Sequence, residues 1–240
     1  VKYLDWDTKF FGLPMAYVSC LNLTKNIQRL IDKFAKYNDI SMIQCLCDCH
    51  DRRSVEIAER NGYNFVDIRL TFDRDLLSLE NEYHNSGGDY QYGLASISDI
   101  KELKSLSEGM YRDSRYYFDG NFDIDRLNDF YSGWIEKSIL GEFDDECYCV
   151  FNNTIPIGFC TIRYKNEEAS IGLFGISEAY GGQGIGKKLL SNVLMKVRNK
   201  GFSRISVVTQ GRNYRAQRLY QSVGFRTSST QLWYHKWLKK

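Results

Sequence analysis

Between Tyr180 and Leu190 the chain reads Tyr-Gly-Gly-Gln-Gly-Ile-Gly-Lys-Lys-Leu-Leu, and Asn213, Ala216, Leu219 and Tyr220 follow at helical spacing before Gly224-Phe225. Glycines crowded between an apolar strand and a helix let several backbone N–H groups converge on one anion, and the helix N-terminus adds its partial positive charge. Gly181, Gly182, Gln183, Gly184, Ile185, Gly186 and Lys187 therefore form a candidate phosphate cradle, with Gln183 and Lys187 as added side-chain donors. Tyr220, seven residues after Asn213, brings a phenol to the helix that follows the cradle. A phenol is a proton donor at neutral pH.

Periodicity supplies the elements that must hold these groups: a strand over 170–176, an amphipathic helix over 187–200, a strand over 205–209 and a helix over 216–222. With the Gly-rich turn and the Asn213/Tyr220 pair, this order resembles the GNAT N-acetyltransferases. The resemblance implies an α/β (α+β) GNAT fold, a mixed and mostly antiparallel sheet flanked by helices. It implies acyl-CoA, acetyl-CoA or a longer acyl-CoA, as cosubstrate, and no metal. It also implies that the strand carrying Phe174, Gly175 and Ile176 splays from its neighbour to pair with pantetheine, that 181–187 hold pyrophosphate, that Asn213 touches the cofactor, and that Tyr220 acts as acid toward the coenzyme A sulfur. Gly181 departs from the family pattern, which has a long polar side chain there. That contact is lost, and backbone N–H groups must carry the cradle.

The 240 residues are 43% hydrophobic and 15% aromatic with 2 Pro, enough for one large core or two small ones. No apolar run approaches the roughly 20 residues that span a bilayer, and the opening Val1-Lys2-Tyr3 is unlike a secretory leader, so a cytoplasmic protein is expected. Residues 179–240 hold 13 Lys/Arg and no Asp/Glu, leaving a net charge of −11 on the remainder. Such a basic block attracts polyanions. No nucleic-acid-binding motif accompanies it, so a polyphosphorylated small molecule is the expected partner. Among the seven cysteines no Cys-x-x-Cys spacing occurs, and strand alternation puts Cys45, Cys47 and Cys49 on one face as small apolar groups rather than metal ligands.

Sliding the chain on itself by 162 positions lays Asn61-Gly62-Tyr63 over Val223-Gly224-Phe225, residues 42–47 over 204–209, and the strand 65–72 over the segment ending at Tyr234. The first copy has Ala58 where the second has Tyr220, and no Gly-rich turn. Residues 1–86 are therefore expected to form a degenerate GNAT-like half-domain, a structural or substrate-shaping lobe, and 87–240 the catalytic domain, joined near Asn85-Ser86-Gly87-Gly88-Asp89. In the second domain a strand over 90–95, helices over 97–110 and 122–140, and an antiparallel meander ending at 176 precede the cradle. The aromatic segment from Trp233 to Leu238 could complete a sheet within one chain or between two, as in a homodimer.

Acyl transfer to an amine needs a neutral nucleophile, a polarised carbonyl and a proton for the leaving thiolate. A backbone N–H near 174–176 suits the second need. A carboxylate base must come from the first 178 residues or be replaced by a water relay; Glu178, Asp119 and Glu146 are available, and spacing singles out none of them. Asp5-Trp6-Asp7-Thr8-Lys9-Phe10-Phe11-Gly12 and Asp113-Ser114-Arg115-Tyr116-Tyr117-Phe118-Asp119, with Tyr131-Ser132-Gly133-Trp134, are similar to the dTDP-fucosamine acetyltransferase-like nucleotide-sugar N-acyltransferases. This second resemblance spans almost the whole chain and implies transfer to the exocyclic amine of a dTDP-linked dideoxy amino hexose, for bacterial surface polysaccharide or glycan synthesis. Arg115 offers a fork for phosphate or hydroxyls, and Tyr116, Tyr117 and Trp134 offer flat faces for a sugar or base. A structural ion pair for Arg115, core packing for the aromatics, a peptide amine as acceptor, or a noncatalytic acyl-CoA sensor would use the same residue types.

Overall fold

The structure, a computed structural model, describes residues 1–20, 22–79 and 90–239; the expected linker 85–89 and the 86/87 boundary lie outside them. Ten strands of the described residues form one sheet: β1 (Lys2–Tyr3), β2 (Met15–Cys20), β3 (Met42–Asp48), β4 (Asn64–Asp75), β5 (Tyr90–Leu94), β6 (Glu146–Asn152), β7 (Ile155–Lys165), β8 (Glu168–Ile176), β9 (Arg204–Gln210) and β10 (Arg226–Trp237). Their order is β1-β2-β3-β10-β4-β9-β8-β7-β6-β5, antiparallel except at β2/β3 and β8/β9. The meander β6 to β8 is as expected, with Asn153 (φ 54°) and Asn166 (φ 55°) in the left-handed conformation at its hairpin turns.

Among the described residues eight α-helices cover the sheet: α1 (Asp5–Phe11), α2 (Lys25–Tyr37), α3 (Arg52–Arg60), α4 (Ile100–Ser107), α5 (Arg115–Asp119), α6 (Ile124–Ile139), α7 (Ile185–Asn199) and α8 (Tyr214–Ser222). Side-chain caps set several starts, Thr24 for α2, Asp51 for α3 and Asp123 for α6. Because side chains alternate along a strand, each strand feeds two cores. On one face α7 and α8 pack on Leu189, Leu190, Val207 and Tyr220, and α2 and α3 on Ile43, Cys45 and Cys47. On the other, α1, α4, α5 and α6 close over Phe11, Met15, Met42, Phe130 and Phe159. β3 ends at Asp48, so Cys49 leaves the strand face shared by Cys45 and Cys47 and lies half-buried in the next turn. No helix among the described residues is long and apolar enough to cross a membrane.

The repeat has a structural counterpart. β3-α3-β4 and β9-α8-β10 begin and end at positions that differ by 162 at every boundary. Each copy's second strand pairs with the other copy's first, β10 with β3 and β4 with β9, and β4 and β10 lie together at the centre. Arg69 stands opposite Gln231 and donates to it at 2.6 Å across 162 positions, marking a local two-fold axis. The aromatic segment 233–237 thus completes the sheet within the chain.

β10 is also tied to α5. His235 is fully buried, its Nδ1 lies 2.5 Å from Asp119 Oδ2, and Trp237 Nε1 donates to the same carboxylate at 3.1 Å. Burial holds His235 neutral down to about 4, outweighing the carboxylate that favours its charged form. Burial alone would raise Asp119, yet the hydrogen bonds from His235, Asn121 and Trp237 keep it below its ordinary value. Since the unfolded histidine titrates near 6.5, the unfolded chain takes up this proton first as pH falls from about 6.5 to 4. The stability His235 supplies is therefore complete above 6.5 and lost through that window. Urea midpoints from pH 7.5 to 4.5 should fall, and His235→Gln should flatten that slope.

Candidate active site

β8 and β9 pair only through Ala169, Ser170 and Ile171, opposite Ile205, Ser206 and Val207. Beyond Ile171 they part. A bulge in β8 accompanies the break, since Cys160 opposes Phe174 while Ile162 opposes Ile171, and Thr161 Oγ1 accepts the Leu173 N–H at 2.7 Å. On the side facing the gap, the backbone of Gly172 to Ile176 is left without a ladder partner, as expected for a strand that pairs with an extended ligand. Gly175 is held there by space: a Cβ would lie 2.6 Å from Met110 Sδ and 2.9 Å from the Phe159 ring.

The Gly-rich turn follows at the end of β8. Gly182 (φ 76°) and Gly184 (φ 74°) take left-handed conformations open to side chains only at a strain cost, and nothing lies within 4 Å of a Cβ on either. Gly184 precedes the first residue of α7, and Lys188 is the first N–H to bond back, onto the Gly184 carbonyl at 3.1 Å. The N–H groups of Ile185, Gly186 and Lys187 therefore point out of the helix end, free for an anion. Gly181 and Gln183 are exposed in the same turn. A Cβ on Gly186 would lie 3.4 to 3.6 Å from Ile176, Leu219 and Phe174, which brings cradle, splayed strand and α8 together. Open backbone, a helix N-terminus and an unpaired strand fit the phosphates and amide arm of an acyl-CoA. Asn213 caps α8, its Oδ1 accepting the Ala216 N–H at 3.0 Å.

Tyr220 lies on the inner face of α8, 4% exposed, against Phe72 and Phe225. Burial, with a smaller push from Cys160, raises its phenol well above the ordinary tyrosine range, so it stays protonated. Across the gap stands Tyr111, whose hydroxyl is 3.5 Å from the Phe174 carbonyl and whose phenol is raised by burial and then by Tyr220. Two phenols thus approach the opened strand from opposite faces of the sheet. No spacing marked Tyr111; its only signal is its place just before the Asp113-Ser114-Arg115 segment.

Tyr111 stacks on Tyr131 with ring centres 4.5 Å apart, and Tyr131 lines a cleft of about 460 Å³. Arg115, Tyr116 and Trp134 line it too, with Asp7, Gln44 and Trp233. The Arg115 guanidinium carbon lies 4.3 Å from both the Tyr116 and Trp233 ring centres, and its Nε and Nη2 donate to Gln44 Oε1 at 3.1 and 2.9 Å. Tyr116 donates to Asp7 at 2.8 Å. No carboxylate among the described residues comes within ion-pair distance of Arg115, so its charge is fixed in place by neutral partners and open to an anion. Tyr117 lies apart from the cleft, bonded to Asn128 at 2.6 Å, and Trp134 Nε1 faces Asp144 at 3.4 Å.

Asp7, Gln44 and Trp233 were not evident from the sequence. Asp7 sits in the opening segment singled out for resemblance, and Gln44 is the polar residue within the otherwise apolar run from Met42 to Cys47, which is the signal that was there to read. The carboxylates available as bases are engaged elsewhere: Asp119 as above, Glu146 with Lys200 at 2.6 Å and with Tyr148 and Tyr164, while Glu178 is exposed in the turn before the cradle.

Residues 107–225 match the Acetyltransferase (GNAT) family. The chain is 26% identical over 239 residues to the dTDP-fucosamine acetyltransferase of Escherichia coli O6:H1, covering 98% of this chain and 97% of that relative. It is 23% identical over 240 residues to the spore coat polysaccharide biosynthesis protein SpsD of Bacillus subtilis, covering 97% and 81%. Among solved structures, a GCN5-related N-acetyltransferase from Sphaerobacter thermophilus aligns over 90% of this chain and 69% of its own, with TM-score 0.66 at 12% identity. A tandem GNAT protein from the clavulanic acid biosynthesis pathway aligns over 90% and 71%, with TM-score 0.61 at 10% identity. With residues 107–225 matching that family and a named acetyltransferase aligning along nearly its full length, the chain carries a GNAT domain, that of an acyl-CoA-dependent N-acyltransferase.

Proposed function

We propose that this protein transfers an acyl group from acyl-CoA to the exocyclic amine of a dTDP-linked dideoxy amino hexose. The observation that carries the reading is the cleft of about 460 Å³, in which Arg115 lies between two aromatic rings with no acidic partner among the described residues, one stacked tyrosine pair away from the parted strands. A guanidinium so placed suits a pyrophosphate, and the aromatic walls suit a base or pyranose. The name of one relative, a dTDP-fucosamine acetyltransferase, supports the same substrate class, and that of the other, a spore coat polysaccharide biosynthesis protein, supports a place in bacterial surface polysaccharide synthesis. In this reading residues 1–86 are a degenerate GNAT-like half-domain: their described residues hold no cradle, and they contribute Lys2, Trp6, Asp7, Tyr17 and Gln44 to the cleft. Residues 181–187 hold the phosphates of acyl-CoA, 174–176 and Asn213 its arm, and Tyr220 protonates the departing thiolate.

The test is incubation with acetyl-CoA and a panel of dTDP-linked 3- and 4-amino sugars, following thiol release and the mass of the sugar. Acylated dTDP-sugar is the expected result. Thiol release with a peptide amine but none of the panel would overturn the acceptor and leave the reaction class.

A further inference from the structure

Tyr111 lies in the loop between α4 and α5, and its hydroxyl ends at the opening between β8 and β9. The oxygen stands 3.5 Å from the Phe174 carbonyl, beyond the roughly 2.5–3.0 Å of a well-made O–H···O bond. It has no closer partner among the described residues. Burial is the first cause that raises its phenol, and Tyr220, Tyr131, Cys147 and Cys160 add to the rise, so the proton stays on oxygen at neutral pH. A phenol that is enclosed, protonated and loosely bonded is a donor whose acceptor must come from elsewhere.

Strand geometry says which acceptor comes within its reach. Along a strand the N–H and C=O of one residue point the same way, and those of the next point oppositely. The Ser177 N–H donates to Ile157 at the start of the β7 ladder at 2.8 Å, so Gly175 faces β7 as well, while Ile176 and Phe174 turn both groups toward the gap. Tyr111 therefore meets the same edge of Phe174 from which the backbone N–H faces an incoming ligand. Its ring stacks on Tyr131, which lines the cleft. The preceding residue, Met110, sits over Gly175, where a Cβ would lie 2.6 Å from its sulfur. The loop is thus packed onto β8 at one residue and aimed into the gap at the next, so the hydroxyl is in place before any ligand arrives.

We propose that the Tyr111 hydroxyl is a second hydrogen-bond donor to the acyl carbonyl oxygen, beside the Phe174 N–H, which rests on 174–176 holding the acyl-CoA arm. Two atoms of a thioester gain charge during transfer, the oxygen as the C–N bond forms and the sulfur as the C–S bond breaks. Tyr220, on the opposite face, serves the sulfur. A single backbone N–H would leave the oxygen with one donor, and Tyr111 supplies the other. Tyr111 keeps its own proton throughout. The proton that nitrogen loses and the proton that sulfur gains pass through other groups, so the balance of the reaction is unchanged.

The test is the infrared spectrum of acetyl-CoA, isotope-labelled at the thioester carbonyl and bound without an acceptor to the wild type and to Tyr111→Phe. Phenylalanine keeps the ring on Tyr131 and deletes only the hydroxyl, so acetyl-CoA affinity should change little. A hydrogen bond to a carbonyl oxygen weakens the C=O bond and lowers its stretching frequency. The wild type should lower the frequency below that of free acetyl-CoA, and Tyr111→Phe should return part of that shift. With an amino sugar that the wild type acylates, single-turnover thiol release should slow by about 10²- to 10³-fold in the variant, the range for losing one such donor. An equal shift in both proteins, or an unchanged single-turnover rate, overturns the role of Tyr111 and leaves 174–176 in place. No shift in the wild type overturns the placement of the arm at 174–176 together with this role. Fluorotyrosine at position 111, a more acidic phenol of nearly the same shape, should lower the frequency further. An unmoved frequency there overturns the proposal even where Tyr111→Phe does not fold.

Discussion

Tyr220→Phe is expected to lower turnover by about 10²- to 10⁴-fold, the range for losing one general acid, with acyl-CoA affinity almost unchanged. The ring keeps its packing on Phe72 and Phe225, so the fold should persist. A raised phenol would look like a poor donor. Burial raises it, however, and would raise a thiolate formed in the same dry pocket by the same mechanism, so the difference between the two groups governs the transfer. Single-turnover thiol release separates this chemical step from binding. Wild-type rates in Tyr220→Phe would remove its role and move attention to Tyr111, the phenol across the gap.

Arg115→Met should act on the acceptor alone. Methionine keeps much of the apolar stem between Tyr116 and Trp233 but removes the charge and the two bonds to Gln44. Hydrogen bonds to charged groups contribute about 1.5 to 3 kcal/mol, so kcat/KM for the nucleotide sugar should fall roughly 10- to 150-fold, mostly through KM, with the acyl-CoA KM unchanged. Arg115→Lys should recover little, since an ammonium lacks the planar fork. Equal losses toward both substrates would mark Arg115 as structural.

The Gly-rich turn, the strand before it and the helix carrying Tyr220 were legible because their signals are local: glycine where φ is positive, and apolar period along the strand, α7 and α8. The cleft was only half legible. Arg115, Tyr116 and Trp134 could be named as types, but the neighbours that give them purpose, Gln44 from β3 and Trp233 from β10, are brought in by strand pairing between distant segments. α5 is a five-residue helix, too short to show a period. Tyr111 reads in the sequence as one aromatic among many. Its place follows from the loop after α4 lying against the opened end of β8, a contact across 63 positions that no local stretch of residues can express.

The exchange of strands about Arg69 and Gln231 sets an order of assembly. Met42 finds its partner in Trp237, 195 positions later, so the first half of the sheet keeps a vacant slot during synthesis until β10 emerges. Closing so long a loop is entropically slow, and β3 and β4 meanwhile present unpaired edges to any passing chain. The same interlock has a return: once β10 is home, neither half can peel away without breaking the centre of the other, so the walls of the cleft and the parted strands beside it are held in register by a single cooperative sheet.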